Sequence, residues 1–239
     1  MRVIVLLALL WCFKAEAVSA KSYIVTELDG TVIIQKDSDA VLPIASITKL
    51  FTVRSALAYN ADELIQITEE DLRAGRSKAS ILKAGSAYSR SDLMHLALIK
   101  SDNAAAIALG RTELQPFVLP PSTRIVEASG LDPSNVSSAK DLARFASSLV
   151  NTELARISVK PYVTIGEHKK ASTNALIRSP KWVFHLSKTG FINQSGGCVL
   201  VIFESKGRLV TAVILGSRDV PTRWRDLIEL RKMIELRKM

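Results

Sequence analysis

Pro43-Ile44-Ala45-Ser46-Ile47-Thr48-Lys49-Leu50-Phe51 is the stretch on which the reading of this chain turns. It places Ser46 three residues before Lys49, at what reads as the start of a helix. Positions i and i+3 share a helix face, so the lysine amine can lie beside the serine hydroxyl. A neutral amine there can take the hydroxyl proton, which makes an activated nucleophile. Backbone N–H groups at a helix start favour the negative charge that develops in acyl transfer. Ile47, Leu50, Phe51, Val53 and Leu57 predict a helix buried on most of its circumference, where a lysine can lose its charge. The spacing alone is weak. It recurs at Ser80/Lys83 and at Ser137/Lys140, and its plain meaning is a cap or a surface pair. Ser80 lies in a basic, polar stretch with no buried helix around it. Ser137 or Ser138 reads as the cap of a helix carrying Leu142, Phe145, Ala146 and Leu149.

Outward from Ser46, the chain reads as strands at both ends and helices between. Ser22 to Leu28 alternates, Asp29-Gly30 is a hairpin turn, and Thr31 to Gln35 returns. Leu64 to Thr68 is extended, and Thr68-Glu69-Glu70-Asp71 opens a short helix. Ser91-Asp92 starts a helix ending near Lys100, and Ser101-Asp102-Asn103 opens the next. Tyr162 to Ile165 is extended. Val183 to Ser187 leads into Lys188-Thr189-Gly190. Val199 to Glu204 and Leu209 to Leu215 are strand runs joined by Lys206-Gly207. The fold class expected is α+β: an antiparallel sheet flanked by helices plus an all-helical lobe. The lobes expected are a sheet lobe from 21–60 and 160–220 and a helical lobe over about 61–159. Residues 221–239 form a C-terminal helix in which Ile228 to Met233 repeats as Ile234 to Met239.

Among 239 residues, 48% are hydrophobic and 23% charged, enough for a full core and unlike a disordered chain. Residues 1–20 read as a secretory signal: Arg2, then an eleven-residue apolar run from Val3 to Phe13, too short to span a bilayer comfortably. Small residues allow cleavage after Ala17 or Ala20. Of the two cysteines, Cys12 leaves with the signal, and Cys198 stands alone in an apolar strand. The net charge of +9 becomes +8 in the mature chain. No nucleic-acid module accompanies it, so an anionic envelope is the simpler partner. The tail from Ser217 carries seven basic and four acidic residues. It suits weak contact with a membrane surface, the plainer alternative being a helix packed on the sheet.

What lifts Ser46 above the other serines is the ordered set Ser46-x-x-Lys49, Ser101-x-Asn103 and Lys188-Thr189-Gly190. Ser172-Thr173-Asn174 fits the middle element too, but lies in a loop close to Lys188. With these motifs the chain resembles the low-molecular-mass penicillin-binding proteins that act as serine D-Ala-D-Ala peptidases. Within them it is similar to the D-alanyl-D-alanine endopeptidase branch. The resemblance covers most of residues 22 to 220 and implies a β-lactamase/transpeptidase-like fold with the site between the lobes. It implies catalytic roles for Ser46 as acylated nucleophile and Lys49 as its base, with Ser101 and Asn103 relaying protons and holding substrate. Lys188 and Thr189 would bind the terminal carboxylate, and Gly190 would admit the substrate to the strand. The N–H groups of Ser46 and Phe191 would form the oxyanion hole. The implied partners are peptidoglycan peptides, with β-lactam antibiotics as covalent inhibitors, no cofactor and no metal, in the periplasm or cell envelope. One departure is the segment between Asn103 and Ser129, which is shorter than the family pattern, with Pro116 to Ser122 bridging it.

Rival readings have less behind them. A class A β-lactamase requires a water-activating glutamate in a Glu-x-x-Leu-Asn setting, which is absent between Asn103 and Lys188. Glu127, before Ala128-Ser129-Gly130, has the wrong context. A zinc peptidase is disfavoured because His95, His168 and His185 lack ligand spacing. A non-catalytic envelope-binding homologue remains the alternative of a different class. The motifs do not separate endopeptidase from carboxypeptidase, which share the acyl-enzyme and differ in the group that leaves.

Overall fold

A computed structural model describes residues 18–76, 80–112 and 117–237. The chain opens with the hairpin β1 (Ser22–Glu27) and β2 (Val32–Lys36), turning at Gly30 with a positive φ of 92°. After β3 (Val41–Pro43), a single 3-10 turn (Ala45–Ile47) runs into α1 (Thr48–Ala56). Next come β4 (Leu64–Gln66), α2 (Glu69–Ala74), β5 (Ala87–Ser89) and α3 (Arg90–His95). A widened π turn (Leu96–Lys100) follows, and then α4 (Asn103–Arg111). β6 (Val136–Ser138) leads into α5 (Ala139–Leu149) and α6 (Glu153–Ser158). The hairpin β7 (Tyr162–Ile165) and β8 (His168–Ala171) precedes the long strands β9 (Phe184–Ile192), β10 (Gly196–Ser205) and β11 (Arg208–Ser217). α7 (Val220–Leu236) ends the described chain. The fold is α+β, as expected.

The main sheet has the order β2-β1-β11-β10-β9, with every neighbouring pair antiparallel. Strand alternation sends two sets of side chains to opposite faces. Ile24, Leu200, Ile202, Val213 and Leu215 join the larger core, with the helices. Val25, Val199, Val201, Phe203, Ala212 and Ile214 face the other way and meet Leu227, Leu230 and Ile234 of α7. Burial of both faces explains why these strands read as continuous apolar runs.

The lobes do not divide along the chain. α1, inside the first span assigned to the sheet, packs on α3, α4 and α6, while α5, inside the helical span, packs on β1, β10 and β11. α6, capped by Thr152, was not read from the sequence. Phe117, between α4 and β6, stacks its ring with Phe51 and Phe145, each 6.2 Å away, Phe51 and Phe145 themselves being 4.2 Å apart.

The repeated hexapeptide lies in α7, and its two copies meet different fates. Six residues turn an α-helix by about 240° beyond a full turn. Ile234 is therefore buried where Ile228 is exposed, and Leu230 is buried where Leu236 is exposed. The buried side of α7 rests on the sheet, leaving Arg225, Ile228 and Lys232 outward. No helix among the described residues is long and apolar enough to cross a membrane. The expected signal segment falls on residues 1–17, outside the described residues, apart from Val18, Ser19 and Ala20.

Candidate active site

Ser46 sits in the middle of the 3-10 turn, held by its neighbours. Ile44, Ala45, Ile47 and Leu50 are fully buried. Ala45 takes a positive φ of 47°, a conformation a β-carbon disfavours, and Thr48 Oγ1 donates to its carbonyl at 2.7 Å. No side chain caps the turn or α1. The Ser46 hydroxyl, unlike that of an N-cap serine, is therefore not spent on backbone N–H groups.

Lys49 Nζ reaches three oxygens: Ser46 Oγ at 2.8 Å, Asn103 Oδ1 at 2.7 Å and the Ser129 carbonyl at 2.6 Å. As an ammonium it donates to all three. As an amine it has two N–H groups, and the two carbonyl-type oxygens can only accept. Both protons are then committed, and the lone pair faces the Ser46 hydroxyl, which donates to it. Burial lowers the Lys49 pKa from 10.5 to about 7, against the opposing pull of Glu127 and Asp102. The neutral base is thus accessible near neutral pH.

The middle motif rests on a local irregularity. The π turn carries α3 past its regular end, and Ser101 closes it in the left-handed region (φ 61°, ψ 34°). Asp102 then caps α4 by accepting from the Ala105 N–H at 3.0 Å. This break turns Ser101 and Asn103 into the site together. Asn103 also donates through Nδ2 to the Gly75 carbonyl at 3.1 Å, which fixes the orientation of its amide. Ser101 Oγ accepts from Lys188 Nζ at 2.8 Å. Each of the two site serines therefore has its own lysine.

β9 supplies the third wall. Lys188 is buried, and burial together with the Lys49 and Arg223 cations pushes its pKa well below the usual lysine value. Thr189 Oγ1 lies 2.7 Å from Thr173 Oγ1. At Gly190 an added Cβ would come within 3.0 Å of both the Ile44 carbonyl oxygen and the Ser46 nitrogen. Glycine lets this strand lie this close to the Ser46 turn. Phe191 is exposed beside it, its backbone paired with Gly197 of β10.

The two other Ser-x-x-Lys matches are not brought here. Ser80 Oγ accepts from the Leu82 N–H at 3.2 Å. Ser137 Oγ pairs with Thr123 Oγ1 at 2.8 Å, Ser138 is the cap of α5, and Lys140 reaches out to Asp39 at 3.0 Å. The rival Ser-x-Asn is structural in its asparagine, since Asn174 Nδ2 donates to Ser187 Oγ at 2.9 Å.

The chain matches the peptidase family described as D-alanyl-D-alanine carboxypeptidase over residues 12–113 and 121–219. It belongs to that family. It is 31% identical to a D-alanyl-D-alanine endopeptidase of Pseudomonas aeruginosa, over 93% of this chain and 79% of the relative. A D-alanyl-D-alanine endopeptidase of Escherichia coli K12 is 28% identical, over 95% and 80%. The ampicillin-bound crystal structure of penicillin-binding protein D2 from Listeria monocytogenes superposes with a TM-score of 0.75 at 26% identity, covering 92% of this chain and 98% of that one. The chain is a serine D-Ala-D-Ala peptidase of this family, with the fold of the penicillin-binding proteins.

Two charged side chains that brace these segments were not legible beforehand. Glu127, set aside in the sequence, holds the Ser129 turn that reaches Lys49, and its charge opposes the effect of burial on the lysine. Its signal was a carboxylate two residues before a Ser-Gly turn, which can fold back on the turn's N–H groups. Arg223 of α7 passes behind β9, donating to the carbonyls of Gly190 at 2.9 Å and Cys198 at 3.2 Å, with burial lowering its pKa to about 10. No sequence signal marked it, because α7 is distant in the chain and rich in arginine.

Proposed function

We propose that this peptidase cleaves the D-Ala bonds of peptidoglycan cross-links, as an endopeptidase. Ser46 Oγ attacks the D-Ala carbonyl carbon as its proton passes to Lys49. The N–H groups of Ser46 and Phe191 take the oxyanion, a contribution of about 3 kcal/mol per donor. Ser101 relays the proton that the departing amine requires, and Asn103 holds both Lys49 and the substrate backbone. Lys188 and Thr189 receive the terminal carboxylate. Water then attacks the Ser46 ester, giving the free acid and restoring the hydroxyl. A β-lactam opens on the same serine without releasing a leaving group, so its acyl-enzyme persists.

The observation that carries the chemistry is the triple contact of Lys49 Nζ, which leaves the lone pair for Ser46. What favours cross-links over terminal D-alanine is the name shared by the two relatives above. Such a substrate places the protein outside the cytoplasm, in agreement with the apolar N-terminus. We put processing after Ala17, because Val18 and Ala20 are buried between the sheet and α7. The Ser19 N–H and hydroxyl also donate to Asp226, the former at 2.9 Å. Cleavage after Ala20 would delete all of this. Any contact with an anionic membrane surface would come from the outward Arg225 and Lys232 of α7.

One experiment tests these points together: the intact mass of exported protein with and without benzylpenicillin, followed by digestion of purified muropeptides. Expected are an N-terminus at Val18, a lasting adduct of one penicilloyl group, and cleavage of cross-linked dimers. An N-terminus at Lys21 overturns the processing site. Consumption of the antibiotic without an adduct would indicate a β-lactamase, and release of D-alanine from pentapeptides alone would indicate a carboxypeptidase.

A further inference from the structure

Five donors converge on the Glu127 carboxylate. Oε2 accepts from the Ser129 N–H at 2.6 Å and the Ser129 hydroxyl at 2.7 Å. Oε1 accepts from the Gly130 N–H, the Asp132 N–H at 3.3 Å and Asn135 Nδ2 at 2.8 Å. Asn135 Oδ1 closes the ring, accepting from the Val126 N–H at 2.7 Å. With both oxygens saturated this way, the carboxylate is in no state to activate a water. It acts instead as the hub of the 127–135 turn.

That turn docks on the nucleophile segment at four points. The Ser129 carbonyl accepts from Lys49 Nζ at 2.6 Å, and the Ala128 carbonyl from Thr52 Oγ1 at 2.7 Å. The Asn135 carbonyl accepts from the Ile44 N–H at 3.0 Å. Gly130 fits so tightly that an added Cβ would lie 2.0 Å from the Ala45 carbonyl oxygen. The acceptor that helps set the direction of the Lys49 amine is thus itself set by Glu127.

We propose that Glu127 is a positioning residue of the serine–lysine pair: by ordering the 127–135 turn it aims the Ser129 carbonyl at Lys49 Nζ and so turns the amine lone pair to Ser46. This rests on the reading of Lys49 as the base and adds to it a part that none of the three motifs contains. The charged groups facing Lys49 are Glu127 from the turn, Asp102 from the start of α4 and Lys188 from β9. Loss of the Glu127 charge removes one of the two anions that oppose the effect of burial on Lys49, so the Lys49 pKa should fall further.

The test compares wild type, Glu127→Gln and Glu127→Asp. The rate constant of acylation by benzylpenicillin is followed against pH, with thermal unfolding of each protein. Glutamine keeps the length, loses the charge, and points an N–H₂ group at donors that need an acceptor. Expected for Glu127→Gln is a plateau lowered roughly ten- to a hundredfold, as for a base displaced by a fraction of an ångström to an ångström. Its acidic limb should also move to lower pH. Glu127→Asp should keep the wild-type limb and recover part of the plateau. Overturning results are a Glu127→Gln plateau and limb equal to wild type, or a folded Glu127→Gln with a lowered plateau and an unmoved limb, which would mean that the turn is braced without any effect on the Lys49 amine. If Glu127→Gln does not fold, Glu127→Asp decides: a lowered plateau with the wild-type limb supports the proposal, and an unchanged plateau overturns it. A wild type that is not acylated at any pH would instead overturn the Ser46 reading itself.

Discussion

Ser46/Lys49 and Ser137/Lys140 share one spacing and reach opposite ends. At the first, the serine caps nothing, and the lysine is buried with its amine 2.8 Å from the hydroxyl. At the second, the serine hydroxyl is tied to Thr123, and the lysine extends to solvent beside Asp39, its side chain 38% exposed. The difference lies in what surrounds the pair. A lysine becomes a base when its charge is costly and its protons are already committed. Neither condition holds at Lys140, which lies at the surface against Asp39 and away from the Ser137 hydroxyl.

The sharpest way to break this contrast is Ser46→Ala. Covalent labelling by penicillin should be lost completely with the fold intact, while Ser80→Ala and Ser137→Ala label as wild type. Labelling of Ser46→Ala that maps to Ser80 or Ser137 would reverse the assignment. Next is Lys49→Met, which should slow acylation by about 10²–10⁴-fold, the usual contribution of a positioned base. The wild-type rate should rise with pH through about 7, where Lys49 sheds its proton.

The same lysine should leave a mark on stability. Its folded pKa of about 7 lies below 10.5, so between these values the unfolded chain holds a proton that the folded chain lacks. Stability must then rise with pH across that window, by up to about 1.4 kcal/mol per unit from this group. Subtracting the Lys49→Met pH profile from that of wild type isolates the slope, and a flat difference would mean that Lys49 stays charged when folded. The smallest effect belongs to the other pair. Lys140→Met should change unfolding by less than about 0.5 kcal/mol and labelling not at all, since exposed ion pairs contribute little.

Much of the fold was legible because its signals are local. The Asp29-Gly30 hairpin, the Thr68 cap with Asp71, and the paired runs around Lys206-Gly207 all formed where the residues pointed. So did the three motifs, whose side chains meet from α1, the start of α4 and β9. What escaped reading was mostly non-local. The local exception is the left-handed turn at Ser101, which follows a π turn that no residue type announces. Glu127 reads as an ordinary surface acid until its loop is laid against α1, and Arg223 as one of several arginines until α7 crosses behind β9.

By itself the sequence determined which groups could do chemistry, and in what order along the chain they stand, because nucleophile, base and cation are properties of residue types. It also determined the strands of the main sheet and most helices, through periodicity and caps that act over a few residues, but not the short strands β3, β5, β6 and β8. Only the tertiary structure decided which of the three serine–lysine pairs is buried with its amine against its hydroxyl. That choice depends on burial, on the carbonyls that accept the amine protons, and on charges brought from distant segments, and these exist only once the chain has packed.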